Sequence, residues 1–113
     1  MKRRALFVIL FMVLPSAIAL NAKVAVGTLA GTVVDSRGNP VAGASVTIQT
    51  SYGLHPNAML TDKTGHFAFA RYKIGEYDLR ASAGAAKSDW LQRVMIHSNK
   101  TTEVMLRLGP VVK

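Results

Sequence analysis

The chain has 113 residues, 14 basic and 6 acidic side chains, a formal net charge of +8 and no cysteine. This length excludes more than one ordinary domain. The lack of cysteine excludes disulfides, thiolate metal sites and the lipid-modified cysteine of a lipoprotein, so a domain of this size must be stabilised by its apolar core alone.

The first 19 residues have the three parts of a secretory signal peptide in the expected order. Residues 1–4 are basic, residues 5–14 (ALFVILFMVL) are uninterruptedly apolar, and residues 17–19 (AIA) form a small-x-small cleavage pattern. A spanning helix needs roughly 20 apolar residues, about twice the length of this run. We therefore predict cleavage after Ala19 and no transmembrane segment in the processed chain; a retained anchor is the alternative.

The charge pattern of the processed chain limits its partners. Eleven basic and six acidic residues remain after residue 19, and no two basic residues are adjacent. Scattered positive charge indicates solubility and argues against a nucleic-acid interface, and it leaves room for weak attraction to anionic glycans or membrane surfaces. Because small extracellular domains of eukaryotes tend to be rich in disulfides, we expect a bacterial protein, periplasmic or secreted.

After a predicted linker over residues 20–28, the chain shows the period-two alternation of half-buried strands and almost no helical periodicity. In one strand Ala44, Val46 and Ile48 face the core; in another Tyr77 and Leu79 face it, while Asp78 and Arg80 face water. Alternation of this kind predicts an all-β sandwich of about seven strands over residues 29–108, followed by a tail over 109–113. The predicted strands contain, in order, Leu29, Ala44, Ala58, His66, Tyr77, Val94 and Val104.

Two turns share the pattern Asp, two polar residues, Gly. Asp35 and Asp62 are expected to accept hydrogen bonds from the backbone amides that follow them, and Gly38 and Gly65 to adopt positive φ at the turn exit. The second of these turns predicts a tight hairpin.

The remaining connections are less regular. Gly75 opens a strand in which Tyr77 is expected to form a tyrosine corner, with simple core packing as the alternative. Residues 51–57 are predicted to form a loop, and residues 82–90 a flexible connection that leads into Trp90.

The motifs in this order resemble those of a known family. Residues 31–46 read G-x-V-x-D-x-x-G-x-P-V-x-G-A-x-V, residues 61–69 read T-D-x-x-G-x-F-x-F, and residues 75–79 read G-x-Y-x-L. Together they resemble the carboxypeptidase regulatory-like family, which is related to transthyretin-like and starch-binding-like sandwiches. The resemblance implies a Greek-key sandwich of the prealbumin or Ig-like type that serves as an accessory module and not as a catalytic centre.

Catalytic and metal-binding signatures are missing from the sequence. His55, His66 and His97 lack the spacing of a zinc site, and Asp35 and Asp62 are already assigned to turns, which leaves few carboxylates for calcium. There is no G-x-S-x-G motif, and the chain lacks the Tyr-Arg-Gly-Ser ending of the related hydroxyisourate hydrolases. We therefore expect no enzyme activity, no metal and no cofactor.

The function hypotheses concern binding. The first is an envelope module that binds a protein or a glycan through its loops or an exposed strand edge. The second is a stand-alone carbohydrate-binding module, and a third is a transthyretin-like carrier or hydrolase, which would need an oligomer with an internal channel. The oligomeric state is left open. The candidate ligand-binding residues, for which core packing is the alternative, are Trp90, Tyr52 and Tyr72.

Overall fold

Eight strands and no helix make up residues 24–110, the part of the chain that the computed structural model describes. No helix in this part could therefore cross a membrane. The predicted signal peptide lies outside the described residues. The strands are β1 Val26–Val34, β2 Ser45–Thr50, β3 Asn57–Leu60, β4 His66–Lys73, β5 Gly75–Ala83, β6 Ala86–Lys87, β7 Leu91–Ile96 and β8 Thr101–Arg107.

The strands form two sheets, which confirms the all-β prediction. In the three-stranded sheet, β1 lies between β4, to which it is antiparallel, and β8, to which it is parallel. In the five-stranded sheet, the order is β3, β2, β5, and both β6 and β7 pair with β5. Since β2 occupies one edge of β5, strands β6 and β7 share the other edge.

The predicted count of seven strands is wrong, because residues 82–90 contain a strand where a flexible connection was expected. Ala83 pairs with Ala86 and Ser82 with Lys87, around a turn at Gly84 with a φ of 60°. Alanine and glycine have low strand propensity, and this pairing depends on the edge of β5 that β2 does not occupy. In addition, β1 begins at Val26, so the last three residues of the predicted linker belong to a strand.

The space between the sheets is filled by the inward side of the alternating strands. Leu29, Val46, Ile48, Leu79 and Ile96 are essentially inaccessible to solvent. Burying side chains of this size contributes about 1.5–3 kcal/mol each, which makes the core the main source of stability in a chain without cysteine. The other core residues are Val33, Ala44, Phe67, Phe69, Tyr77, Ala81, Val94, Leu106 and Leu108.

Asp78 corrects the prediction for β5, since it is buried and not in water. Its Oδ1 accepts a hydrogen bond from the N–H of Arg93 at 3.0 Å. Tyr77 pairs with Val94 and Leu79 with Leu91, so β7 has one residue more than β5 in this stretch. Arg93, with a φ of 58°, lies in this bulge, and the carboxylate satisfies an amide that the ladder leaves unpaired.

The two Asp-x-x-Gly turns are closed by their carboxylates. Asp35 Oδ1 accepts from the N–H groups of Arg37 and Asn39, both at 2.9 Å. Asp62 Oδ1 accepts from the Thr64 hydroxyl at 2.8 Å and from the N–H groups of Thr64 and His66 at 2.9 and 3.0 Å. Gly38 and Gly65 have φ values of 90° and 80°.

These hydrogen bonds stabilise the ionised carboxylates. The N–H of Asn39 is the main cause of a lowered pKa at Asp35, and the hydroxyl of Thr64 is the main cause of a lowered pKa at Asp62. A carboxyl with a lowered pKa in the folded state stabilises the fold above its unfolded value of about 3.8, and this contribution is lost as pH falls through the folded pKa.

Asp62→Asn is therefore expected to reduce the acid sensitivity of the fold. The amide still accepts hydrogen bonds but carries no charge, so the variant should be less stable than wild type near neutral pH and converge with it as pH falls below the folded pKa of Asp62. Urea unfolding midpoints measured across this pH range test the prediction. Lys63→Gln, in the same turn, is the control and should keep the wild-type pH profile. A constant difference between Asp62→Asn and wild type at every pH would contradict the prediction.

Gly31 allows the close approach of three strands. A Cβ at this position would overlap the carbonyl oxygen of Val104 on β8 and would lie 2.7 Å from Cζ of Phe67 on β4. Because Val104 contributes backbone to this contact, the conflict can be relieved only if a strand moves. The glycine therefore sets the spacing of the three-stranded sheet.

Gly31→Ala is expected to destabilise the protein by about 1–3 kcal/mol through overpacking. The neighbouring outward position supplies the control, since Ala30→Ser adds one atom to a half-exposed side chain and should change stability by less than about 0.5 kcal/mol. Urea unfolding measures both. Equal stability of the two variants would show that the sheet has room at residue 31.

Candidate functional site

The structure separates the three aromatic residues that the sequence singled out. Tyr52 is 88% exposed in the loop between β2 and β3, and Trp90 is 38% exposed between β6 and β7. Tyr52 lies near Gly75 at the start of β5, and Trp90 lies near Arg80. Arg80 is five residues after Gly75 on this strand, so the two positions are roughly 16 Å apart. The structure does not bring these rings together into one platform.

Tyr72 is part of the packing at the edge of the core. Its ring packs edge-to-face against Phe69 at 5.4 Å and against Tyr77 at 5.8 Å between centroids. Asn57 Nδ2 donates a hydrogen bond to the Tyr72 hydroxyl at 2.7 Å. The ring thus packs against two other aromatic side chains, which favours a packing role.

Tyr77 combines the two roles considered for it. Its ring is in the core, and its hydroxyl donates a hydrogen bond to the carbonyl oxygen of Lys73 at 2.7 Å, four residues upstream. Burial raises the pKa of this hydroxyl. The contact joins the end of β4 to the start of β5, next to Gly75, whose φ of 149° allows the chain to pass between the sheets.

Trp90 is held outside the core by the interruption between β6 and β7. At this interruption Ser88 forms both hydrogen bonds to Ala81 of β5. Its N–H donates to the carbonyl oxygen of Ala81 at 2.9 Å, and its Oγ accepts from the N–H of Ala81 at 2.9 Å. The same hydroxyl donates to the carbonyl oxygen of Asp89 at 2.9 Å. Buried Ser88 therefore fixes the segment that carries Trp90 on the edge of β5.

Arg80 anchors the indole from the outer face of β5. Its Nε donates to the carbonyl oxygen of Ser88 at 3.1 Å, and its guanidinium carbon lies 5.6 Å from the Trp90 ring centre. A cation–π contact at an exposed site contributes about 0.5–1 kcal/mol. Arg80 therefore holds both the segment and the ring.

Two surface depressions border on Trp90, of about 410 and about 310 Å³. Trp90 and Lys87 line both of them. The smaller depression lies on the outer face of the five-stranded sheet, where polar side chains of β2 and β5 surround the indole. We call this set the Trp90 surface; it consists of Thr47, Gln49, Arg80, Ser82, Lys87 and Trp90.

The Trp90 surface can bind but lacks the groups for chemistry. It offers an indole, two cations, two hydroxyls and a side-chain amide, which suit hydrogen bonding and stacking on a polar ligand with apolar faces. None of its side chains is a nucleophile paired with a general base. Over residues 24–110, no group of three or more His, Asp or Glu side chains is arranged to hold a metal ion.

The sequence indicates Trp90 as a candidate but does not indicate that Arg80 and Ser88 hold it. Arg80 was expected simply to face water, and Ser88 lay in a segment predicted to be flexible. The contacts of both depend on where residues 86–91 pair along β5, which no local pattern encodes. The only local signal was the alternation that places Arg80 on the outer face.

Ser88→Ala is expected to destabilise the fold by about 1–3 kcal/mol, because the buried N–H of Ala81 loses its acceptor. The control is Ser36→Ala at an exposed position, expected to change stability by less than about 0.5 kcal/mol. Urea unfolding tests the pair. If Ser88→Ala is as stable as the control, the Ser88 hydroxyl does not hold this segment.

A family model for the carboxypeptidase regulatory-like domain matches residues 28–109. No curated protein matches the chain at a significant level.

Solved structures share the fold at low sequence identity. A minor pilin of Streptococcus agalactiae superposes with a TM-score of 0.68 and 20% identity over 80% of this chain and 47% of the pilin. A candidate carbohydrate-binding protein of Bacteroides uniformis superposes with a TM-score of 0.57 and 14% identity, over 73% of this chain and 40% of that protein. The 5-hydroxyisourate hydrolase of Klebsiella pneumoniae superposes with a TM-score of 0.55 and 20% identity, over 80% of this chain and 93% of the hydrolase. The chain thus spans about half or less of the first two proteins, and these similarities show the fold alone.

Proposed function

Because the chain belongs to the carboxypeptidase regulatory-like domain family, we propose that it is an exported, non-catalytic binding module of the bacterial envelope whose Trp90 surface holds a glycan. The family consists of regulatory, non-catalytic domains. The observation that carries the proposal is the placement of Trp90, a large aromatic ring outside the core, fixed by Ser88 and Arg80 and bordered by two depressions.

The chemistry of the surface supports a sugar ligand. A ring that is already held in place stacks on a ligand at little further cost in conformational entropy. Thr47, Gln49 and Ser82 lie in the same depression and offer donors and acceptors for ligand hydroxyls. Arg80 and Lys87 add positive charge, which favours glycans that carry carboxylate, sulfate or phosphate groups.

Trp90→Ala is expected to weaken glycan capture by about 10- to 30-fold, the usual effect of removing a central aromatic anchor. Tyr52→Ala is the matched control, since it removes an exposed aromatic ring far from the Trp90 surface and should leave capture unchanged. The measurement is a pull-down from envelope extract freed of phospholipid, at low and high salt, with the glycan content of the bound fraction quantified.

The result that sinks the proposal is equal glycan capture by wild type and Trp90→Ala. Capture that disappears in high salt for every variant would also count against it, because net positive charge alone explains such binding. Circular dichroism of each variant establishes that the sandwich has folded.

A protein partner is the second candidate, favoured by the exposed edge strand β3. Among the described residues β3 pairs only with β2, and Leu60 on this edge is 64% exposed. An edge of this kind can add a strand from a partner. In the same pull-down, a discrete protein that survives high salt and is retained by Trp90→Ala supports this candidate over the first.

A transthyretin-like carrier or hydrolase is the third candidate. The supporting observation is the shared fold with the hydrolase of Klebsiella pneumoniae. Such a site requires an oligomer with an internal channel, so a strictly monomeric protein in sedimentation velocity excludes it.

A further inference from the structure

Half of the large exposed apolar side chains in the described region lie at one end of the sandwich. Val24, Tyr52, Leu54 and Ile74 are exposed by 68, 88, 57 and 43%, and they account for four of the eight such residues. Tyr52, Leu54 and Ile74 border one depression of about 470 Å³. The N–H of Ile74 donates to the carbonyl oxygen of Ala25 at 3.3 Å, which places Val24 next to them.

The loop that carries Tyr52 and Leu54 is closed by its own hydrogen bonds. Thr50 N–H donates to the Leu54 carbonyl oxygen at 2.9 Å, and Thr50 Oγ1 accepts from the Leu54 N–H at 3.0 Å. Gly53, with a φ of 79°, donates its N–H to the Thr50 carbonyl oxygen at 2.8 Å. This tight turn holds two large apolar side chains in solvent, where they contribute nothing to the core.

Three exposed cations lie at the same end as Val24, Tyr52, Leu54 and Ile74, which we call the apolar tip. Lys73 lines the depression that Tyr52, Leu54 and Ile74 border. Its strand partner Val26 lines a neighbouring depression together with Arg71 and Lys100. Glu76 is the one acidic side chain that lines either depression. The apolar tip and the cations define what we call the basic end: Val24, Tyr52, Leu54, Arg71, Lys73, Ile74 and Lys100.

The opposite end of the sandwich has a different balance. Its turns carry Asp35 and Asp62 alongside Arg37 and Lys63, so that charges of both signs alternate there. The basic end differs from these turns in charge, because one acidic side chain accompanies three cations there.

We propose that the basic end docks on an anionic phospholipid surface. Exposed Tyr, Leu and Ile side chains beside Lys and Arg are the combination that binds at a lipid interface, with apolar groups among the headgroups and cations near the phosphates. The Trp90 surface, near the far half of β5, stays available in this orientation.

The charge arm of the test compares cation variants. Each cation near an anionic surface is worth about fivefold in partitioning, so Lys73→Gln combined with Lys100→Gln should lower binding by about 20- to 30-fold. Arg37→Gln combined with Lys63→Gln removes the same charge from the opposite end and should have little effect. The measurement is co-sedimentation of the exported, purified chain with vesicles of phosphatidylcholine alone or mixed with phosphatidylglycerol.

The apolar arm compares exposed side chains of similar size. Tyr52→Ser combined with Leu54→Ser should lower binding to the mixed vesicles by at least about tenfold, because apolar area leaves the interface. Leu60→Ser combined with Met105→Ser is the control, since both residues are more than half exposed on other faces. All variants share the same N-terminus, so the comparison cancels any contribution from residues before 24.

Three results overturn the proposal: no binding to the mixed vesicles, equal binding to both vesicle types, or equal losses in the test and control pairs. Thermal melts of each variant separate loss of docking from loss of folding. The glycan pull-down above is independent of this result, because Trp90 is unchanged in all four double variants.

Discussion

The placement of β1 between β4 and β8 is the constraint on which the rest of the sandwich depends. The antiparallel pairing with β4 joins residues 34 to 47 positions apart, and the parallel pairing with β8 joins residues 73 positions apart. Gly31 permits both pairings at once, since a side chain there would meet β8 backbone and the Phe67 ring. Once β1 is fixed, the inward sides of β4 and β8 cover Leu29 and Val33 and define the core that the five-stranded sheet must close.

The second sheet depends in a similar way on β5, whose two edges are both used. One edge pairs regularly with β2, whereas the other has two irregularities, the break between β6 and β7 and the bulge at Arg93 within β7. At each irregularity a buried polar side chain accepts a hydrogen bond from a backbone N–H group: Ser88 from that of Ala81, and Asp78 from that of Arg93. The irregular edge is also where Trp90 leaves the core, so the candidate binding surface is a consequence of how this strand edge is completed.

Features that depend on neighbouring residues in the sequence could be predicted, whereas features that depend on how distant strands pair could not. Alternation around Ile48 and Phe67 assigns the core side of a strand directly, because successive side chains point to opposite faces. The carboxylate of Asp62 closes its own turn within four residues. By contrast, the burial of Asp78, the strand at residues 86–87 and the Arg80–Trp90 contact depend on how distant segments align along β5. The exposed aromatic could therefore be predicted as a candidate, but not the residues that hold it.

The structure places two surfaces of different chemistry on one small domain: an aromatic and polar Trp90 surface, and a basic end with an apolar tip. We propose the Trp90 surface as a glycan-binding site. Trp90 is the one tryptophan in the sequence, so intrinsic fluorescence reports on this surface directly. Titration of the protein with a panel of neutral and anionic glycans should give a saturable change in emission for at least one of them. Emission that stays constant across the whole panel would contradict the claim.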